Sequence, residues 1–409
     1  MYIYTYIHMS AKYVATDADI REAIGLWLHQ NVEALDTYGD ISTWDVSGVT
    51  DMSSLFRDAE TFNDDISEWD VSLVTNMSRM FEYAEEFNQN IGSWTVSQVT
   101  DMSNMFENAM AFNQPIDTWD VSEVVNMSGM FWSSGMTSVS VFNQNIGDWN
   151  VSHVVSMSMM FSRATAFNQD IGRWNVSQVT HMDGMFSSAS TFNQNIGNWD
   201  VASVVNMSLM FANTDVFDQN IGDWDVSRVA DMSNMFRDTK VFNQDIGNWD
   251  VSKVVDMWSM FADAEAFNQD LGRWKLADDV EMEHMFEGAT IIPEKYKPVS
   301  ADVRRERERE LELKLKRERE IDRNNTGLAM SRLTDQSSSL LPSDIRKHIT
   351  SFHTKGLSGG SRRNTSKRMR RKNKHRKTTR SSKSRKPRKS RKPRKSRKSR
   401  KRPRTNTKS

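Results

Sequence analysis

Ten tryptophans recur along this chain at a fixed step. Trp44, Trp69, Trp94, Trp119, Trp149, Trp174, Trp199, Trp224, Trp249 and Trp274 lie 25 residues apart, except for a step of 30 between Trp119 and Trp149. A period in the twenties restricts the outcome to a stack of units. Each unit buries its apolar face only against its neighbours, as in a solenoid. Such folds supply surfaces more often than reaction pockets.

The unit from Trp69 to Ser93 carries two patterns. Met77, Met80, Phe81 and Ala84 follow i, i+3, i+4, i+7, the stripe of a short helix. The preceding column is Asp51, Asn76, Asp101, Asn126, Ser156, His181, Asn206, Asp231, Asp256 and Glu281, and eight of the ten are good helix N-caps. The second pattern, Ile66-x-x-Trp69-x-Val71, alternates as a short strand with Trp and Val inward. It is close to the apolar frame of a leucine-rich repeat. The expected fold class is therefore an α/β repeat solenoid, leucine-rich-repeat-like, with one short parallel strand and one short helix per 25-residue unit. A helical spacer and a disordered tail follow.

Other columns read as structure. The Asn column (Asn63, Asn88, Asn113, Asn143, Asn168, Asn193, Asn243, Asn268, with Asp218) suits the backbone of tight turns, since a side-chain amide both donates and accepts. Gly92, Gly147, Gly172, Gly197, Gly222, Gly247 and Gly272 suggest a tight bend, although Ser67 and Asp117 stand in the same column. The Met columns read as packing filler. The Asp column after Trp is the one carboxylate array. Thr95, Asn150, Asn175 and Lys275 interrupt it, which favours hydrogen bonding over Ca²⁺.

The formal net charge of zero hides an asymmetry. Of 54 Lys and Arg, 27 lie in residues 356–409, which contain no acid; residues 1–355 hold the other 27 against all 54 acids. The chain has no cysteine, so no disulfide, thiolate site or cysteine lipid anchor is expected. Met1–His8 lacks the basic front and apolar run of a signal peptide, and Met9 is a second candidate start.

The expected organisation is a leader (1–13), an N-terminal helical cap (14–43) and the solenoid (44–298, with an insertion within 133–140). A charged helix (299–325), a linker with a short amphipathic helix (326–355) and a disordered basic tail (356–409) follow. In the cap, Ile20, Ala23, Ile24, Trp27 and Leu28 form a helical stripe with Asp17 or Asp19 as N-cap. Leu341–Phe352 looks like the opening of an F-box, without the helices that would complete one. The tail has no aromatic residue and cannot build a core.

The units Trp-Asp-Val-Ser-x-Val-Thr-Asp-Met-Ser-x-Met-Phe-x-x-Ala-x-x-Phe-Asn-Gln-x-Ile resemble the BspA-like leucine-rich-repeat surface-protein family, of the mycoplasma type also found in large DNA viruses and microalgae. Asp17–Trp27, followed by Tyr38-Gly-Asp-Ile-Ser-x-Trp44, is similar to that family's opening segment. The resemblance spans residues 14–290. It implies a leucine-rich-repeat-like solenoid and, in bacteria, surface exposure or adhesion. It implies no catalytic residue. The chain departs from that pattern in its basic tail and in lacking an anchor cysteine.

No phosphate loop, zinc-protease motif or nucleophile elbow is present, so a non-enzymatic role with no cofactor and no metal is expected. The expected function is a scaffold for protein–protein interaction; a cell-surface adhesin, or a repeat adaptor with an F-box-like remnant, is the alternative. The candidate interaction surface is Glu68, Asp70, Ser72, Thr118, Asp120, Asp148, Asn150, Arg173, Asn175, Asn198, Asp200, Asp223, Asp225, Asn248 and Asp250, on the concave sheet face. The tail is expected to bind nucleic acid or another polyanion through Arg362, Arg363, Arg370, Arg371, Lys372, Arg385, Lys386, Arg388, Lys389, Arg391, Lys392, Arg394, Lys395, Arg400, Lys401 and Arg402. An intracellular location follows, nuclear or virion-associated if the tail is an import or packaging signal, with surface display left open.

Overall fold

A computed structural model describes residues 12–135 and 139–339, with the side chains of the last helix described as far as Arg323. The chain divides into two units, Met1–Ile321 and Asp322–Ser409. The first contains the whole repeat array.

Each repeat is a closed coil built from turns. In the first coil, Leu55, Arg57, Ala59 and Phe62 donate their amides to the carbonyls of Met52, Ser54, Phe56 and Ala59. Each of these bonds joins residues three apart, so the segment is a run of consecutive turns. The alternate amides leave the coil: Met52, Ser54, Phe56 and Asp58 donate to the carbonyls of Asn76, Ser78, Met80 and Glu82 in the next coil. The pattern repeats at every junction, four bonds at a time, at 2.7–3.1 Å.

This arrangement corrects the α/β leucine-rich-repeat expectation. Among the described residues there is no β-strand and no sheet, and none of the repeats contains an α-helix; the single helical turn within 44–298 is the 3-10 turn Glu294–Tyr296 that follows the last coil. The helical stripe is buried as anticipated, with Met77, Met80, Phe81 and Ala84 each fully covered. Its backbone is not helical because alternate amides go sideways to a neighbour instead of back to the carbonyl four residues earlier. Two residues in each coil but one take left-handed backbone to allow this, for example Arg79 (φ 59°) and Tyr83 (φ 59°); the coil that carries the insertion has Gly129 alone. Those same residues break any pleat, because a strand needs an unbroken run of extended dihedrals. Coil-to-coil pairing is therefore reduced to single parallel bridges, from Asp51↔Asn76 through Asp256↔Glu281. The column read as helix N-caps supplies them. Its chemistry is that of a cap transferred to a turn: Asn76 Oδ1 accepts from the Ser78 amide at 3.0 Å.

The Trp-x-Val segment was expected to pair as a strand. Trp69 and Val71 do point inward, and Asp70 outward. Their backbone closes turns within its own coil, Trp69 onto Ile66 and Val74 onto Val71. The link to the preceding coil is made by the indole instead: Trp94 Nε1 donates to the Ile66 carbonyl at 3.2 Å, and Trp174 Nε1 to that of Ile146 at 3.0 Å. Neighbouring indoles stack with centroids 6.4–6.5 Å apart. That is wider than the roughly 4.8 Å of a backbone ladder. Phe rings pack beside the indoles: Phe161 stacks on Phe167 within its coil (centroids 4.0 Å apart) and on Phe186 in the next (5.8 Å), and lies 6.3 Å from Trp174.

The Asn column closes the third corner. Asn168 Oδ1 accepts from the Asn193 amide at 3.0 Å, and Gln194 Nε2 donates to both the Asn168 carbonyl and its Oδ1. The glycine column permits close approach. A Cβ on Gly197 would lie 2.4 Å from the Asn220 carbonyl oxygen of the following coil. The insertion leaves after the ladder has been completed, since Ser133 still donates to Ser162. Five additional residues are thus accommodated without interrupting a junction.

The cap consists of α1 (Ile20–His29) and α2 (Asn31–Tyr38). Ile20, Ala23, Ile24 and Trp27 cover the apolar end of the first coil. Asp17 makes no cap to its own helix; its carboxylate accepts from the amides of Thr50 and Asp51. Beyond the last coil, α3 runs Ala301–Ser339. Its side chains are exposed from Arg305 to Arg323, including Leu311, Leu313 and Leu315.

Candidate interaction surface

From Trp69 to Trp274, each buried Trp of the 25-residue column has two exposed neighbours. Asp70, Asp120, Asn150, Asn175, Asp200, Asp225 and Asp250 follow it, while Glu68, Thr118, Asp148, Arg173, Asn198, Asp223 and Asn248 precede it; all are exposed, and Ser72 is half-buried. They share one side because Trp and the Val two residues on are both anchored inward. There is no sheet for this side to line, so it consists of turn side chains.

The residues after Trp are engaged in those turns. Asp70, Asp225 and Asp250 each accept from the amide two residues on, at 3.0–3.1 Å. Hydrogen bonds from the Ser72, Ser227 and Ser252 hydroxyls, then from their amides, hold these carboxyls below their usual range. They are therefore fixed anions. Among the described residues, no group of three or more His, Asp or Glu is arranged to hold a metal ion.

The residues before Trp are freer. Arg173 Nη1 lies 3.9 Å from Asp148 Oδ1 with both side chains 83% exposed, an arrangement that contributes little to stability. Arg273 reaches Asn248 at 3.4 Å. Thr118 Oγ1 donates to the Gly92 carbonyl at 2.8 Å. Between these coils lies an open groove lined by Ser93, Thr95, Ser97, Asp117, Thr118 and Asp120. Ser93 lies in the same column before Trp, and Asp117, which the sequence places in the glycine column, joins the surface here.

A second feature was not anticipated at all. Glu82 and Glu107 occupy one column on the ladder side and are 5% and 4% exposed. Arg57 Nε approaches Glu82 at 3.2 Å. Burial, and then the neighbouring Glu82 charge, push the Glu107 carboxyl up to about 7. The signal available in the sequence was two acids one period apart in a column otherwise holding Arg, Trp, Ser and Ala, with a third acid, Glu287, only in the last coil.

The candidate tail residues, Arg362 to Arg402, and the F-box-like segment Leu341–Phe352 lie outside the described residues. No described helix is long and apolar enough to cross a membrane. No curated protein and no solved structure matches the chain. A family model does match, as Mycoplasma protein of unknown function, DUF285, over residues 26–138, 133–221 and 195–298. These three overlapping matches cover about two thirds of the sequence and coincide with the coil array. The chain belongs to this repeat family, Mycoplasma protein of unknown function, DUF285.

Proposed function

We propose that this protein is a non-enzymatic scaffold whose coil array binds another protein, and that its basic tail binds nucleic acid or another polyanion. One observation carries the first part: exposed side chains that differ from coil to coil stand on a frame that does not. The column before Trp runs Glu68, Ser93, Thr118, Asp148, Arg173, Asn198, Asp223, Asn248, Arg273, while the buried Trp beneath never changes. A constant frame with variable positions is where partner choice resides. Within the repeat family, the Trp-Asp-Val-Ser and Phe-Asn-Gln pattern supports a BspA-like assignment.

The tail reading rests on its composition, 27 Lys and Arg with no acid and no aromatic residue in 356–409. Such a segment gains affinity by releasing counterions from phosphates and has no side chain suited to base stacking. It should therefore bind DNA, RNA and heparin alike.

Affinity capture from cell extract with the full chain, followed by Asp148→Lys, Arg173→Glu and Asp223→Lys, tests the scaffold. The captured protein should be lost while the melting temperature stays constant. Retention of that partner by all three variants would move the site away from this surface. Titration of the full chain with a DNA duplex at rising salt tests the tail: affinity should fall steeply and show no preference among sequences.

A further inference from the structure

The two ends of the coil array differ in what their backbone offers. At each of nine junctions, four alternate amides of one coil are satisfied by four carbonyls of the next. In the last coil the equivalent donors are the amides of Met282, His284, Phe286 and Gly288. None of them has an acceptor among the described residues. The coil is nevertheless built like the others. Met285, Glu287 and Ala289 donate to Met282, His284 and Phe286 within it, and His284 (φ 59°) and Gly288 (φ 70°) hold the two left-handed positions. Met282 and Phe286 are only half-buried, with Lys297 Nζ 5.5 Å from the Phe286 ring; Glu281, Glu283, His284, Glu287 and Gly288 are exposed, His284 lying 2.8 Å from Glu287 and 3.3 Å from Glu283.

A second copy of this chain does not fit the edge. Tail end to tail end, both edges present donors. Head to tail, the complementary carbonyls belong to the first coil, and α1 occupies that end: Arg21 donates to the Ser53 carbonyl, and Ile20, Ala23, Ile24 and Trp27 are buried there. The exposed edge side chains are mainly anionic, with Glu281, Glu283 and Glu287 beside the donor row. A row of unpaired main-chain donors is a template for another backbone.

We propose that this terminal edge docks a basic segment of a partner protein, which folds onto it as an eleventh coil. The segment supplies main-chain carbonyls at alternate residues to Met282, His284, Phe286 and Gly288, apolar side chains to cover Met282 and Phe286, and Lys or Arg to Glu281, Glu283 and Glu287. This surface is separate from the side chains flanking Trp, so loss of partner binding through Asp148, Arg173 and Asp223 leaves it untouched.

The probe is a synthetic peptide copying residues 231–242 with Asp231→Lys and Asp238→Lys, compared with a scrambled peptide of the same composition. Amide exchange of the full chain is read at single-residue resolution. The coil-like peptide should slow exchange at 282, 284, 286 and 288 at least tenfold, and the scrambled one should not. Met282→Pro removes one donor that makes no internal bond and should weaken peptide binding about tenfold. Glu283→Gln with Glu287→Gln, which leaves the backbone intact, should weaken it about threefold or more and keeps the test valid should the proline variant unfold. Equal protection by the scrambled peptide would overturn the proposal. So would slow exchange at the four amides in the free chain, which would assign the edge to residues of the chain itself.

Discussion

The two sides of each coil join their neighbours by different means. On the Met and Phe side, coils are tied by backbone regardless of side chain: a ladder of four amides per junction, preceded by one bond returning to the coil before, such as Thr75 to Thr50. On the Trp side, backbone bonds stay within the coil and the side chain makes the tie, through an indole donor such as Trp174 to Ile146. The backbone ladder tolerates almost any residue at its left-handed positions, from Asn104 and Gly184 to Arg163 and Leu209. The Trp side tolerates none, because only indole combines the apolar area to fill that corner with a donor at its edge. One side is thus generic and the other residue-specific.

The largest effect should come from breaking the specific side. Trp174→Ala removes a buried aromatic and strands the Ile146 carbonyl, so urea titration should show a loss of about 3–5 kcal/mol. An unchanged midpoint would mean that the ladder alone holds the coils together. Gly197→Ala attacks the close approach on the same side. Its Cβ would meet the Asn220 carbonyl at 2.4 Å, and the backbone shift should cost about 1–3 kcal/mol.

The ladder side should respond to pH through Glu107. Its folded pKa of about 7 lies above the unfolded value, so the folded protein holds the proton more tightly. Stability should therefore fall as pH rises from about 4.5 to about 7, by on the order of 1–2 kcal/mol. Glu107→Gln should flatten that slope, measured as melting temperature against pH; an unaltered slope would remove Glu107 as its cause.

The smallest effect discriminates most sharply between turn and helix. Leu209 is left-handed at φ 58°. Leu209→Gly relieves that strain, worth about 1–2 kcal/mol, against a backbone entropy cost of about 0.5–1 kcal/mol. Denaturant midpoints should stay level or rise by about 0.5 kcal/mol equivalent. In a helix the same change would cost about 1 kcal/mol.

Met77, Met80, Phe81 and Ala84 have helical spacing because a run of turns with three-residue closure brings residues three and four apart to the same side, as a helix does. A contrary signal was present: Asn104, Gly129, Gly184 and Asn234 share one column, and Asp58, Asn108, Asn213, Asp238 and Gly288 another. Those types favour left-handed backbone and disfavour helix. Arg79, Met159, Tyr83 and Leu209 in the same columns concealed it.

The surface was more legible than the backbone. Exposure of Asp70, Asp148, Arg173 and Asp223 followed from Trp and Val pointing inward, a relation that holds in any stacked unit with that alternation. The Glu82–Glu107 pair was not, since its burial depends on neighbouring coils, Arg57 among them, closing over it.

By itself the sequence determined the repeat, its 25-residue period, the inward columns and the opposed charges of its two parts, because these depend on residue type and spacing alone. Tertiary structure decided where the amides go. Donation to a residue four back and donation to a carbonyl about 24 ahead bury the same side chains. The second satisfies the backbone only when a neighbouring coil is present, so the choice between helix and laddered turn is made by the stack and not by the unit.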